Sequence, residues 1–235
     1  MLKDKTALVT GAGRGIGRAI ARRLASAGAA VVAVARNQDE LSETQTAIER
    51  ADGRCLAISA DVTLREEVER VVDEVLRALG RVDMLVNNAG VAPMGPIDAL
   101  EPEQFDHLVA TNVRSVYLCC RAVWPHFCQH GGGVIVNISS VAGDDPFPGF
   151  AAYGGTKAFV NTFSRALAAE GRPHRIRVYC VAPGAVDTQM LRGPFPDFPA
   201  DETLQPDDVA ALVEWLLMPG AEHISGQTIR CMRSV

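Results

Sequence analysis

A doubly wound α/β fold, with helices on both faces of one seven-stranded, mostly parallel sheet, is predicted from three observations. Seven short apolar runs of β type punctuate the chain. Helix-length amphipathic segments separate most of them, the signature of repeated strand–helix–strand units. The runs are also near-continuously apolar rather than strictly alternating, as strands are when helices cover both sheet faces.

Taken in order, the strands are expected at 6–10, 30–35, 54–59, 84–86, 133–138 and 175–181, with a weaker one at 227–232. Helices are expected at 15–27, 38–51, 64–79, 102–129, 151–170 and 206–217. Right-handed crossovers between successive parallel strands then distribute the helices over the two faces. The 235 residues form a single domain, 1–235, long enough to stabilise itself without disulfides or metal. The least regular stretch carries four prolines between Pro194 and Pro206, with Phe195 and Phe198 among them. Proline density argues against a long helix there. Residues 186–206 are therefore expected to form a loop covering the substrate.

Composition excludes several classes of function. Apolar residues make up 48% and charged residues 22%, ordinary for a globular protein and wrong for a disordered chain or a coiled coil. A net charge of −5 gives no general attraction to nucleic acid or to an anionic membrane. Met1-Leu2-Lys3-Asp4-Lys5 leads straight into the first apolar run, and no stretch approaches the length of a membrane span. The six cysteines form no C-x-x-C pair and the five histidines no zinc pattern. The expectation is a cytoplasmic protein with reduced thiols and no metal.

The first strand ends in Thr10-Gly11-Ala12-Gly13-Arg14-Gly15-Ile16-Gly17. Glycines let the backbone turn sharply and approach a pyrophosphate, while the helix that follows aims unpaired N–H groups at the anion. Gly11, Gly13, Arg14, Gly15 and Ile16 are the candidate residues of that turn. The second strand ends at Ala35-Arg36-Asn37, facing the adenosine ribose in such a fold. An acidic residue there would select the unphosphorylated cofactor. Arg36, with Arg14 nearby, instead suits a 2′-phosphate and predicts NADP(H).

Tyr153 and Lys157 are four residues apart on a predicted helix and share a face. A free phenol titrates near 10, and a neighbouring ammonium would favour phenolate and bring it toward neutrality. Ser139 and Ser140 follow the strand at 133–138, at the sheet end where ligands bind, and either hydroxyl could bond a substrate carbonyl. Asn112 falls inside a predicted helix, where asparagine is a poor choice. It marks a working side chain or a local distortion.

With these residues assembled, the sequence resembles a compact short-chain dehydrogenase/reductase with a single-domain Rossmann fold, most similar to bacterial 3-oxoacyl-(acyl-carrier-protein) reductases. The matching motifs are Thr10-Gly11-x-x-x-Gly15-Ile16-Gly17, Asp61-Val62, Asn87-Asn88-Ala89-Gly90, Asn112, Ser140, Tyr153-x-x-x-Lys157 and Pro183-Gly184-x-x-x-Thr188. They run in the family's order over nearly the whole chain. The resemblance implies Tyr153 as the acid in reduction and the base in oxidation. It implies that Lys157 tunes Tyr153 and binds the nicotinamide ribose. Ser140 would orient the carbonyl and Asn112 would hold a proton-relay water. Asp61 and Val62 would contact adenine, and Asn88, Ala89 and Gly90 would line the cofactor. Pro183, Gly184, Val186 and Thr188 would cover the nicotinamide. Residues 188–206 are shorter and richer in proline than the family's usual covering segment, and the tail 228–235 lacks its Asp-Gly-Gly ending.

The implied activity is NADP(H)-dependent interconversion of a carbonyl and a secondary alcohol, on a small-molecule ketone or a 3-oxoacyl thioester. Relatives pair through the helices at 102–129 and 151–170, so a homo-oligomer is expected, a tetramer or a dimer. The competing reading is a dinucleotide-binding sensor or scaffold without turnover, which a damaged catalytic set would have favoured.

Overall fold

The computed structural model describes residues 2–233, so Met1 and the predicted tail's Ser234 and Val235 lie outside the described residues. The chain alternates β1 (Thr6–Thr10), α1 (Gly15–Ser26), β2 (Ala30–Ala35), α2 (Gln38–Glu49), β3 (Arg54–Ser59), α3 (Arg65–Leu79) and β4 (Met84–Asn87). It continues through α4 (Pro102–Val109), α5 (Ser115–Gln129), β5 (Gly133–Ile138), α6 (Ala151–Gly171) and β6 (Ile176–Pro183). It closes with α7 (Gln189–Arg192), α8 (Pro206–Leu217) and β7 (Thr228–Cys231).

The seven strands lie in the order β3-β2-β1-β4-β5-β6-β7. Every pairing is parallel, so the sheet is wholly rather than mostly parallel. The winding reverses between β1 and β4, which opens a crevice at their carboxyl ends. Strand periodicity divides the core in two. Ala7, Val9, Val31, Ala33, Val134 and Val136 point to the face covered by α1, α2 and α8. Leu8, Val32, Val34, Ile135 and Val178 point to the face covered by α3, α5 and α6. Helix α3 illustrates the packing. Val68, Val71, Val72 and Val75 make one buried stripe, and Gly80 at φ +76° ends the helix in the left-handed conformation. Helices α4 and α8 both start at a proline, and Gln104 and Asp208 reach back to accept from the N–H groups of Glu101 and Gln205.

The helix expected at 102–129 is interrupted. Residues Ala110–Arg114 form a π-helical turn between α4 and α5, and Asn112 sits at its centre. Such bulges place one residue out of register with its neighbours and recur at working sites. The segment after β6 is also more ordered than a plain loop. It contains the single turn α7, and its ends are fastened by a parallel bridge between Val186 and Leu204. There the Asp187 N–H donates to the Leu204 carbonyl at 2.8 Å and the Leu204 N–H to the Ala185 carbonyl at 2.9 Å. Among the described residues, no helix is long and apolar enough to cross a membrane.

Candidate active site

The glycine turn is a tightly packed cradle. Gly11 has φ +64°, and a Cβ there would lie 2.8 Å from Asn88 Nδ2. At Gly17 a Cβ would lie 2.1 Å from the Gly11 carbonyl oxygen, so α1 starts this close to β1 only with glycine. Thr10 ties the turn to β4. Its hydroxyl accepts from the N–H groups of Asn88 and Ala89 at 3.0 and 3.1 Å, while Asn88 Nδ2 donates back to the carbonyls of Thr10 and Gly11. The Asn88 side chain is thus committed to shaping the cradle, and Ala89 and Gly90 remain beside it. Helix α1 has no side-chain cap and no acidic residue in its first turn, unlike α2, whose Asn37 caps two N–H groups. Its open N–H groups fit a pyrophosphate. Ile16 packs against the core beneath.

At the carboxyl ends of β2 and β3, Asp61 Oδ1 accepts from the Thr63 N–H and hydroxyl at 2.9 and 2.8 Å. Burial works to raise its carboxyl, but these bonds and the nearby Arg36 charge prevail and hold it below the usual carboxylate range. Val62 is buried beside it. The Arg36 guanidinium is exposed and has no hydrogen bond or ion pair among the described residues. Arg14 is engaged, because its Nη1 lies 3.2 Å from both Glu40 Oε1 and Gln189 Oε1.

At the carboxyl end of β5 the two candidate serines part. Ser139 turns inward, its hydroxyl donating to the Lys157 carbonyl at 3.1 Å. Ser140 accepts from the Ala142 N–H at 3.2 Å, and its hydroxyl lies near enough to the Tyr153 phenol to favour the phenolate. Lys157 lies on the same face of α6, its Nζ 5.7 Å from the Tyr153 ring centre, and is only 5% exposed. Its ammonium donates to the Ile138 carbonyl at 3.0 Å. A Cβ at Gly90 would stand 3.7 Å from that ammonium and 3.4 Å from Asn112 Oδ1.

Asn112 is 1% exposed. Its Oδ1 accepts from the Val91 N–H, and its Nδ2 donates to the Val91 carbonyl and to Thr156 Oγ1. It staples the segment after β4 to α6, and one lone pair on Oδ1 is left without a partner among the described residues.

The electrostatics differ from the expected lowering of the phenol. Burial pushes Tyr153 above its ordinary value of 10.0, with the Ser140 hydroxyl opposing it. Burial also lowers the Lys157 ammonium to about 8. Desolvation disfavours both charged forms, and Lys157 is drawn to a carbonyl of β5 rather than to the phenol.

A cradle of this kind, facing a Ser–Tyr–Lys set across the switch point, invites comparison with known proteins. The sequence profile described as short chain dehydrogenase matches residues 5–197. This chain belongs to the short-chain dehydrogenase family. Its members are oxidoreductases that work with a nicotinamide dinucleotide.

Among curated relatives, the 3beta-hydroxysteroid dehydrogenase 1 of Eggerthella lenta is 37% identical over 240 residues, covering 97% of this chain and 92% of that protein. The human dehydrogenase/reductase SDR family member 4 is 35% identical, covering 97% and 86%. Among solved structures, a 3-ketoacyl-(acyl-carrier-protein) reductase from Brucella melitensis complexed with NADH superposes with a TM-score of 0.92 at 36% identity, covering all of both chains. A 7α-hydroxysteroid dehydrogenase complexed with NADH and 7-oxo glycochenodeoxycholic acid gives 0.92 at 33%, covering 98% and 93%.

In this short-chain dehydrogenase, the remaining predicted residues gather where β6 meets the covering segment. Pro183 ends β6, and the Gly184 N–H donates to the Cys231 carbonyl at 2.9 Å. Val186 is buried, and the Thr188 methyl would lie 3.3 Å from a Cβ at Gly15. The covering segment therefore rests on the glycine turn. Sequence reasoning passed over three residues that shape the site: Thr10, Thr156 and Glu40. Thr10 was already inside the glycine motif. Nothing local marked the other two.

Proposed function

We propose that this chain is an NADP(H)-dependent oxidoreductase interconverting a carbonyl and a secondary alcohol, working as a reductase of a ketone or 3-oxoacyl thioester. The observation that carries the reading is the placement of Tyr153 beside Ser140 and 5.7 Å from the Lys157 ammonium, at the carboxyl end of β5. A bound nicotinamide dinucleotide supplies or receives the hydride. Ser140 holds the carbonyl oxygen, and Tyr153, protonated at neutral pH, gives that oxygen its proton as negative charge develops there. Lys157 holds the nicotinamide ribose in the space Gly90 leaves and presents its charge to the phenol. Asn112 holds the segment after β4 in register with α6. Gly11, Gly13, Gly15 and Ile16 shape the pyrophosphate cradle, with Ala89 and Gly90 along it. Asp61 and Val62 flank the adenine, and Pro183, Gly184, Val186 and Thr188 cover the nicotinamide.

The substrate wall is apolar. Tyr153, Phe150 and Phe147 stand edge to face, with ring centres 5.6 and 4.9 Å apart, and Met190 and Phe195 are exposed on the covering segment. The ketoacyl and steroid substrates in the names of the relatives fit such a wall. Initial rates with acetoacetyl-CoA and a panel of ketones test the activity, and no turnover despite dinucleotide binding would return the protein to the sensor class.

For the cofactor, the unpaired Arg36 supports a 2′-phosphate. Arg36→Ala is expected to raise KM for NADPH about tenfold to a hundredfold, from a lost charge-assisted hydrogen bond, and to leave KM for NADH unchanged. Wild-type KM values that are alike for NADPH and NADH would overturn this preference.

The outer faces of α5 and α6 carry exposed Tyr117 and Phe159, with Phe163 stacked on Phe159 at 5.4 Å. They support assembly of two or four copies. Light scattering is expected to give that multiple of 25.1 kDa, and a one-chain mass would exclude it. Six thiols without disulfides suit a reducing compartment such as the cytoplasm.

A further inference from the structure

The glycine turn carries a charge that the cofactor reading does not use. Glu40 lies in the first turn of α2, and its Oε2 is 3.0 Å from where a Cβ of Gly13 would be. Its backbone is fixed from two sides. The Glu40 N–H donates to Asn37 Oδ1 at 3.2 Å, and its carbonyl accepts from Thr44 Oγ1 at 3.0 Å. The Glu40 side chain is 28% exposed and that of Arg14 is 64% exposed, so the carboxylate is the better-anchored partner of the pair. Arg18, the other cation beside the turn, is already bound to Glu43 at 2.8 Å and to the Gly13 carbonyl.

We infer that Glu40 is a specificity-determining residue, setting how strongly the site discriminates phosphorylated from unphosphorylated dinucleotide by holding Arg14 in an ion pair that a 2′-phosphate must break. The inference rests on the reading of Arg14 and Arg36 as the 2′-phosphate site. Two effects act in the same direction. A phosphate reaching Arg14 displaces the carboxylate, and it then sits beside that displaced negative charge against the turn. A 2′-hydroxyl meets neither obstacle, since it carries no charge and needs no guanidinium. Glu40 therefore does from α2 part of what an acidic residue at the end of β2 does in a site selective for the unphosphorylated cofactor, while Arg36 acts in the opposite sense. Gln189 shares the same Arg14 nitrogen without charge, which makes it the control for contact without electrostatics.

The test is calorimetric binding of 2′,5′-ADP and 5′-AMP to wild type, Glu40→Gln, Gln189→Ala and Arg36→Ala. Glu40→Gln is expected to tighten 2′,5′-ADP about twofold to fivefold, the scale of one partly exposed charge, and to leave 5′-AMP unchanged. Gln189→Ala should move neither. Equal changes for both nucleotides, or none, in a Glu40→Gln protein that melts normally would overturn the role of Glu40. The cofactor reading is judged separately, from the wild-type ratio and its loss in Arg36→Ala. A wild type that prefers 5′-AMP but gains 2′,5′-ADP affinity in Glu40→Gln would overturn that reading and keep the role of Glu40.

Discussion

Tyr153→Phe is expected to lower kcat for carbonyl reduction by about 10²–10⁴, the usual contribution of a positioned acid or base, with little change in dinucleotide affinity. The substitution removes only the hydroxyl. The ring keeps its edge contact with Phe150 at 5.6 Å, and Ser140 keeps its bond from the Ala142 N–H. The split between kcat and binding is thus the informative readout. The pH dependence should carry a matching sign. Reduction uses the protonated phenol, and burial keeps Tyr153 protonated well past neutrality, so the reductive rate holds until alkaline pH. Oxidation uses the phenolate and should rise with pH over the same range. A variant that retains more than a tenth of wild-type kcat would remove Tyr153 from the acid–base role.

Lys157→Met should separate stability from activity. Burial lowers the Lys157 ammonium to about 8, against 10.5 in an unfolded chain. Between these values the unfolded chain holds a proton that the folded chain has released. Stability of the dinucleotide-free protein therefore rises with pH through that window, and below pH 8 the burden of the buried charge is fully present. Removing the charge at pH 7 relieves roughly 3 kcal/mol, offset by about 1 kcal/mol for the Ile138 carbonyl left without its donor. The net gain of about 2 kcal/mol corresponds to a melting temperature raised by about 4–8 °C at pH 7, with the slope between pH 8 and 10.5 flattened. Activity should fall by two decades or more, because the charge presented to the ribose and the phenol is gone. A Lys157→Met protein that melts below wild type at pH 7 would show that the buried ammonium is not a burden on the fold.

What could be read in the sequence follows from how local each demand is. The glycine turn must bend within a few residues, and a parallel strand buried on both faces must be apolar throughout, so both show in short windows. Asn112 gave a half-signal. A poor helix former inside a helix pattern announced a distortion, and the π-turn at Ala110–Arg114 is that distortion, but its partners Val91 and Thr156 come from other elements. Ser139 and Ser140 were equivalent on the residues alone, because only the path of the backbone after β5 turns one hydroxyl to the Lys157 carbonyl and the other to the Tyr153 side chain. The Arg14–Glu40–Gln189 group joins positions 26 and 175 residues apart, a distance no motif spans. The expected lowering of the phenol counted the lysine and a bound cationic nicotinamide, while the burial that raises it in the protein alone is a property of the packed core.

The bridge between Val186 and Leu204 has a consequence for what can be altered as well as for shape. Because the ends of the covering segment are fastened to each other at the rim of the sheet, lengthening or rewriting the residues between them adds only a slowly growing closure entropy and leaves the sheet register untouched. Such a clasp makes the covering segment an interchangeable part. The proline-rich residues between the two clasp points can be exchanged as a unit while the sheet and the residues it carries stay in place.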